Sequence, residues 1–105
     1  MFTDQIPDKP RPCDEEWPAA KPWLANGTPL VPVPAGLTEG WGLSFSLSHV
    51  KSDSGRSAGT ASWEGMANLF WFADRSTGVA GIAASQILPY GGMLMISNAI
   101  AEHCY

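Results

Sequence analysis

Ser48-His49-Val50-Lys51 spells Ser-x-x-Lys, the spacing in which a lysine can take the proton of a serine nucleophile. That chemistry needs both side chains on one helical face, one turn apart. Here the serine closes an alternating apolar stretch and opens the loop Lys51-Ser-Asp-Ser-Gly-Arg-Ser57, where residues three apart point to opposite sides. The match therefore reads as fortuitous, and Ser48 is not taken as a nucleophile. His49 and His103 have no partner at metal-ligand spacing and are read as surface or loop residues. Cys13 and Cys104 sit near opposite ends, too few for a disulfide framework or for a metal site without further donors. No metal and no cofactor are expected.

The elements that must carry any site begin at Gly40. Trp41, Leu43, Phe45 and Leu47 alternate with Gly42, Ser44, Ser46 and Ser48, the period of a half-buried strand with one apolar face. Gly59 to Gly65 is a second strand candidate. The apolar runs Leu69–Phe72 and Val79–Ile87 are joined by Asp74-Arg-Ser-Thr-Gly78, whose length and closing glycine suit an antiparallel hairpin. The run Val79–Ile87 is rich in small residues and does not alternate, as expected of a strand covered on both faces. Pro89 stops it. Met93, Ile96, Ile100 and Cys104 recur at helical spacing, which predicts a short amphipathic helix over 93–104. Upstream, eight of the nine prolines fall before residue 35, so residues 1–38 read as an irregular segment and 39–105 as the folded part. Pro7 to Pro10 and Pro29 to Pro32 match P-x-x-P, a common accident in proline-rich sequence.

Bulk properties exclude several classes of function. A chain of 105 residues is one domain at most and buries only about two-thirds of its unfolded surface. With a net charge of −4, a pI near 4.9 and six scattered basic residues, it offers no stripe of Lys and Arg for phosphates. No apolar run approaches the roughly 20 residues of a membrane span, and Met1-Phe-Thr-Asp-Gln5 has no signal-peptide character, so neither nucleic acid nor membrane is an expected partner. The chain reads as cytoplasmic.

The stretch Gly59-TASWEGMANLFWFADRSTGVAGIAASQILPY-Gly91 resembles the closing section of β-lactamase-related serine hydrolases, including class C β-lactamases and family VIII esterases of fungal type; Gly40-Trp-Gly-Leu43 fits the same family upstream. The resemblance implies an α+β fold: the C-terminal part of a β-lactamase/transpeptidase-like domain, with antiparallel strands, one C-terminal helix and a Pro-rich irregular start. It also places Trp63-Glu64-Gly65 at the family's third motif, on the strand bordering the active site. By that resemblance Trp63, Glu64 and Gly65 line the substrate, and the amide of Met66 donates to the oxyanion of an acyl-enzyme reaction on small esters or amides. The glycine lets substrate approach the strand without a Cβ in the way. The acid at Glu64 disfavours carboxylate-bearing substrates.

The family's nucleophile and tyrosine motifs are not present in their order. Ser48 precedes Trp63 by too few residues to admit the helical subdomain between them, and Tyr90 and Tyr105 follow the third motif instead of preceding it. The chain is thus expected to be the C-terminal portion of an acyl-enzyme hydrolase or acyltransferase, inactive alone, with an apolar sheet face left bare and prone to self-association or docking. Two other functions compete: a non-catalytic partner that docks through an unpaired sheet edge, and a carbohydrate-binding module stacking sugars on some of Trp17, Trp23, Trp41, Trp63 and Trp71.

Overall fold

A computed structural model of the chain describes residues 1–13, 18–25, 36–53 and 55–90. Six strands form one sheet: β1 Arg11–Pro12, β2 Thr38–Trp41, β3 Ser46–Ser48, β4 Ala61–Gly65, β5 Leu69–Asp74 and β6 Val79–Ala83. Each pairs antiparallel with its neighbour in sequence, so the spatial order is β1-β2-β3-β4-β5-β6. This corrects the α+β, β-lactamase/transpeptidase-like expectation: among the described residues the architecture is an all-antiparallel β-sheet with no helix. The helix expected over 93–104 lies outside the described residues. No helix among the described residues is long and apolar enough to cross a membrane.

The strand expected from Trp41 to Leu47 is in fact the end of one strand, a tight turn and the start of the next. The Gly42 amide donates to the Phe45 carbonyl at 2.8 Å and Ser44 adopts φ 127°, folding β3 back on β2 with Gly40 opposite Leu47 and Trp41 opposite Ser46. Leu43 is left exposed at the turn. The alternation hid this because the small residues that serve as outward strand positions, Gly42 and Ser44, also serve as turn residues.

The hairpin of β5 and β6 forms as its loop predicts. Asp74 faces Val79, and the Gly78 amide, at φ 74°, donates to the Asp74 carbonyl at 3.0 Å. The side chain of Asp74 does more than start the turn. One oxygen accepts the Ser57 amide at 2.8 Å, and the other accepts the amides of Ser76 at 2.8 Å and Thr77 at 3.3 Å. It therefore ties the loop after β3 to the β5–β6 loop. The Ser57 amide, helped by those of Thr77 and Ser76, holds its carboxyl down at about 2. Asp74 thus binds its proton less readily folded than unfolded, so its contribution is complete above the ordinary range near 3.8 and is lost as pH falls toward about 2. Melting temperatures measured from pH 5 to pH 2 should fall steeply for the native chain and more gently for Asp74→Asn.

Val79–Ile87 is not covered on both faces as expected. Only Val79–Ala83 is strand, at the end of the sheet, and Val79 and Ile82 are 54% and 66% exposed. Its small residues have a different cause. A Cβ at Gly81 lands 2.6 Å from the Phe72 ring, so β6 is thin where that ring lies.

The sheet buries apolar side chains on both faces. On one, Phe45, Leu47 and Ala61 form a core joined by Phe2 and Trp71. Phe2 comes from the N-terminal segment, which lies across β2: the Gln5 amide bonds the Trp41 carbonyl at 2.8 Å and the Leu43 amide bonds the Met1 carbonyl at 3.2 Å. The segment read as irregular therefore contributes β1 and part of the core. On the other face Phe70 and Phe72 are buried, with the Arg56 guanidinium 5.7 Å from each ring centre. Arg56 covers with its stem and planar head what a second layer covers elsewhere.

Candidate functional site

Trp63, Glu64 and Gly65 end β4, and Met66 begins the turn into β5, which closes with Gly65 opposite Leu69. Strand alternation divides them. Trp63 stands opposite Trp71, and Trp71 opposite Ile82, so one row of large apolar residues crosses three strands. Gly65 shares that face, two residues along, whereas Glu64 stands opposite Phe70 on the other face. The sheet therefore brings Trp63 and Gly65 together and directs Glu64 away from them. Trp63 is 40% exposed and meets Trp41 edge-on, ring centres 4.7 Å apart at 87°.

Gly65 differs from the other glycines inside strands. A Cβ at Gly40 overlaps the Asp4 carboxylate, and one at Gly81 overlaps Phe72. A Cβ at Gly65 meets nothing nearer than Leu69 Cβ at 3.7 Å, an ordinary contact, and its φ is not in the left-handed region. Packing within the described residues does not require glycine there. Accordingly, Gly65→Ala should fold at least as well as the native chain, gaining up to about 0.5–1 kcal/mol. Gly81→Ala should lose about 1–3 kcal/mol by overpacking against Phe72. Urea titration of the two variants makes the comparison.

The turn after Gly65 is held from below by a residue that sequence reading passed over. Asn68 is 1% exposed with φ 55°, and its side-chain amide donates to the carbonyls of Ile87 at 2.7 Å and Pro89 at 3.1 Å. The Ser85 hydroxyl adds a bond to the Ala67 carbonyl at 2.7 Å. Asparagine between two apolar runs is the signal that could have found it, since Asn tolerates the left-handed conformation that such turns need. Met66 itself is exposed, and no hydrogen bond within the described residues engages its amide.

Ser48 and Lys51 are not brought together as nucleophile and base. The Ser48 hydroxyl donates to the Ser57 carbonyl at 3.3 Å, and Lys51 lies exposed in the following loop. His49, read as a surface or loop residue, is exposed just after β3, and its ring has two side-chain partners, Asp4 and Thr38. No group of three or more His, Cys, Asp or Glu among the described residues is arranged to hold a metal ion. Of the tryptophans considered as sugar platforms, Trp17 is outside the described residues and Trp23 is 70% exposed. Trp41 and Trp71 are half-buried with edge-on partners, Trp63 and Phe45, so these rings do not form a coplanar stacking surface.

Fold and site together define a six-stranded antiparallel meander whose fourth strand ends in an exposed Trp-x-Gly and a tight, Asn-braced turn. No family model, curated protein or solved structure matches the chain. The likeness of Gly59–Gly91 to β-lactamase-related hydrolases rests on its residues alone.

Proposed function

We propose that this chain supplies the sheet wall of an acyl-enzyme hydrolase or acyltransferase acting on small esters or amides, with the serine nucleophile and its base delivered by a companion segment or chain. In this reading Trp63 and Gly65 line the acyl group, and the Met66 amide is one of the two donors that hold the oxyanion. Glu64, on the opposite face, lies outside that wall. The observation that carries the reading is Gly65, a strand glycine for which packing among the described residues gives no reason, beside an amide that none of the described residues engages, on a braced turn. A glycine of that kind is explained by a close approach from outside. The companion would also cover the row Trp63, Trp71 and Ile82, the last 66% exposed.

The test is reconstitution. The chain alone, treated with a serine-directed fluorophosphonate, should show no labelled serine. Mixed with a companion polypeptide bearing the Ser-x-x-Lys and tyrosine motifs of such hydrolases, it should turn over a short-chain chromogenic ester well above the sum of the rates of the two components alone. Stoichiometric labelling at Ser48 would overturn the reading, as would turnover by the companion that does not change when this chain is added.

A further inference from the structure

Away from β4, three side chains from three parts of the chain meet where the β2–β3 pairing ends. Asp4, in the N-terminal segment, accepts the amides of Ile6 at 2.9 Å and Trp41 at 3.1 Å on one oxygen. Its other oxygen lies 3.1 Å from His49 Nε2. The far nitrogen of the same ring, Nδ1, lies 2.9 Å from the Thr38 hydroxyl. The β2–β3 register, which pairs Glu39 with Ser48, continues to set Thr38 beside His49.

The order of these bonds selects the tautomer of the neutral ring. The amides of Ile6 and Trp41, and then His49, hold the Asp4 carboxyl below the ordinary range, so it is an acceptor only. A neutral His49 ring that gives its one proton to Asp4 carries it on Nε2, which leaves the lone pair on Nδ1 to accept from the Thr38 hydroxyl. Hydroxyl, imidazole and carboxylate in that sequence are the arrangement that activates a hydroxyl nucleophile. A second observation shows that the sequence makes room for it: Gly40 is glycine where a Cβ would overlap the Asp4 carboxylate. The array is also within reach of solvent, with the His49 and Asp4 side chains 32% and 22% exposed.

We propose that Thr38 is a second nucleophilic site, activated by His49 and accepting acyl groups from activated esters. This stands independently of the function proposed for Trp63 and Gly65. Thr38 Oγ1 attacks the ester carbonyl carbon as its proton passes to His49 Nδ1. The adduct collapses with cleavage of the bond to the aryloxide, which leaves with that proton, giving acyl-Thr38 and a phenol. Water, giving a proton to the same nitrogen, then attacks the acyl-threonine. Thr38 departs with that proton and a carboxylic acid is released. Asp4 is a positioning residue, holding the imidazole in the tautomer the step needs. Base activation of this kind is worth about 10² to 10⁴ in rate, which suits an aryl ester.

The test is acetylation of the full chain by p-nitrophenyl acetate, followed by release of nitrophenolate and peptide mass mapping. An acetyl ester on Thr38 is expected, kept in Thr38→Ser, absent in Thr38→Val and slowed about 10²-fold or more in His49→Ala. Asp4→Asn keeps an oxygen for the two amides but puts an uncharged amide against the ring. It should slow acetylation at least about tenfold while tryptophan emission stays native. Acetyl found only at lysines or at Ser48, or Thr38 acetylated equally fast in His49→Ala, would overturn the proposal. Gly65→Val should leave acetylation of Thr38 unchanged, and Thr38→Val should leave unchanged the turnover that reconstitution adds over the two components alone, so each site can fail without the other.

Discussion

Phe45→Ala should bring the chain close to unfolding. The ring is 5% exposed, sits 4.9 Å from Phe2 and 5.9 Å from Trp71 between ring centres, and forms the core face with Leu47 and Ala61. Truncating a buried phenylalanine removes its transfer free energy and leaves a cavity, together about 3–5 kcal/mol. A domain of this kind has about 5–15 kcal/mol in total. The loss is not confined to the sheet, because Phe2 is the apolar anchor of the N-terminal segment and loses the ring it packs on. Guanidinium titration followed by tryptophan emission should show a midpoint far below that of the native chain, with Trp71 reporting directly because Phe45 meets its ring edge-on. A shift worth less than about 1 kcal/mol would mean that Phe45 is not the centre of this core.

Asn68→Ala should be the second most damaging change, for a different reason. It removes two hydrogen bonds, to the carbonyls of Ile87 and Pro89, and places alanine at φ 55°. Left-handed backbone costs a residue with a Cβ about 1–2 kcal/mol, and each carbonyl that loses its partner and is not rehydrated costs about 1–3 kcal/mol. Since Ile87 is 41% exposed, water recovers part of the second contribution, and the total should be about 2–4 kcal/mol. Asn68→Gly separates the causes: it relieves the backbone but restores neither bond, and should recover about 1 kcal/mol relative to alanine. Hydrogen exchange should show faster amides around residues 84–90 in both variants.

These two residues also show what sequence reading can and cannot supply. Phe45 was visible as an apolar position, but the face assigned to it, shared with Trp41 and Leu43, was wrong. Alternation over Trp41–Leu47 is equally satisfied by one long strand and by a hairpin with Gly42 and Ser44 in its turn, and only the pairing of Gly40 with Leu47 decides. By contrast, β4 and the β5–β6 hairpin were legible. Their signals are local: a glycine-bounded stretch with one large residue, Trp63, and an Asp-to-Gly loop of hairpin length. Trp63, Gly65 and Met66 are named as site residues by resemblance alone, while the opposite facing of Glu64 follows from alternation once the pairing of β4 with β5 is known.

Bonds between residues distant in sequence left no local trace. Asp4 is 45 residues from His49 and Asn68 is 19 from Ile87, and nothing in the composition around either links it to its partner. Gly40 and Gly81 carried the nearest thing to a signal, since each is a glycine within a strand, where glycine is unfavourable unless something approaches. In both cases the approaching group proves to be internal, Asp4 or Phe72. Gly65 is the strand glycine for which no such group is found among the described residues, and the proposed function is built on that difference.

The most direct measurement is therefore the rate of ester hydrolysis by the reconstituted pair with native chain and with Gly65→Val. Circular dichroism and urea titration of the variant alone should first establish that it folds, as expected where a Cβ makes only an ordinary contact with Leu69. If this chain forms the acyl wall, branched bulk at Gly65 blocks the carbonyl from reaching the Met66 amide. Hydrolysis should then fall about 10²-fold or more, the cost of losing one oxyanion donor. Equal rates for the two folded proteins would contradict the assignment and leave Gly65 without a role in hydrolysis.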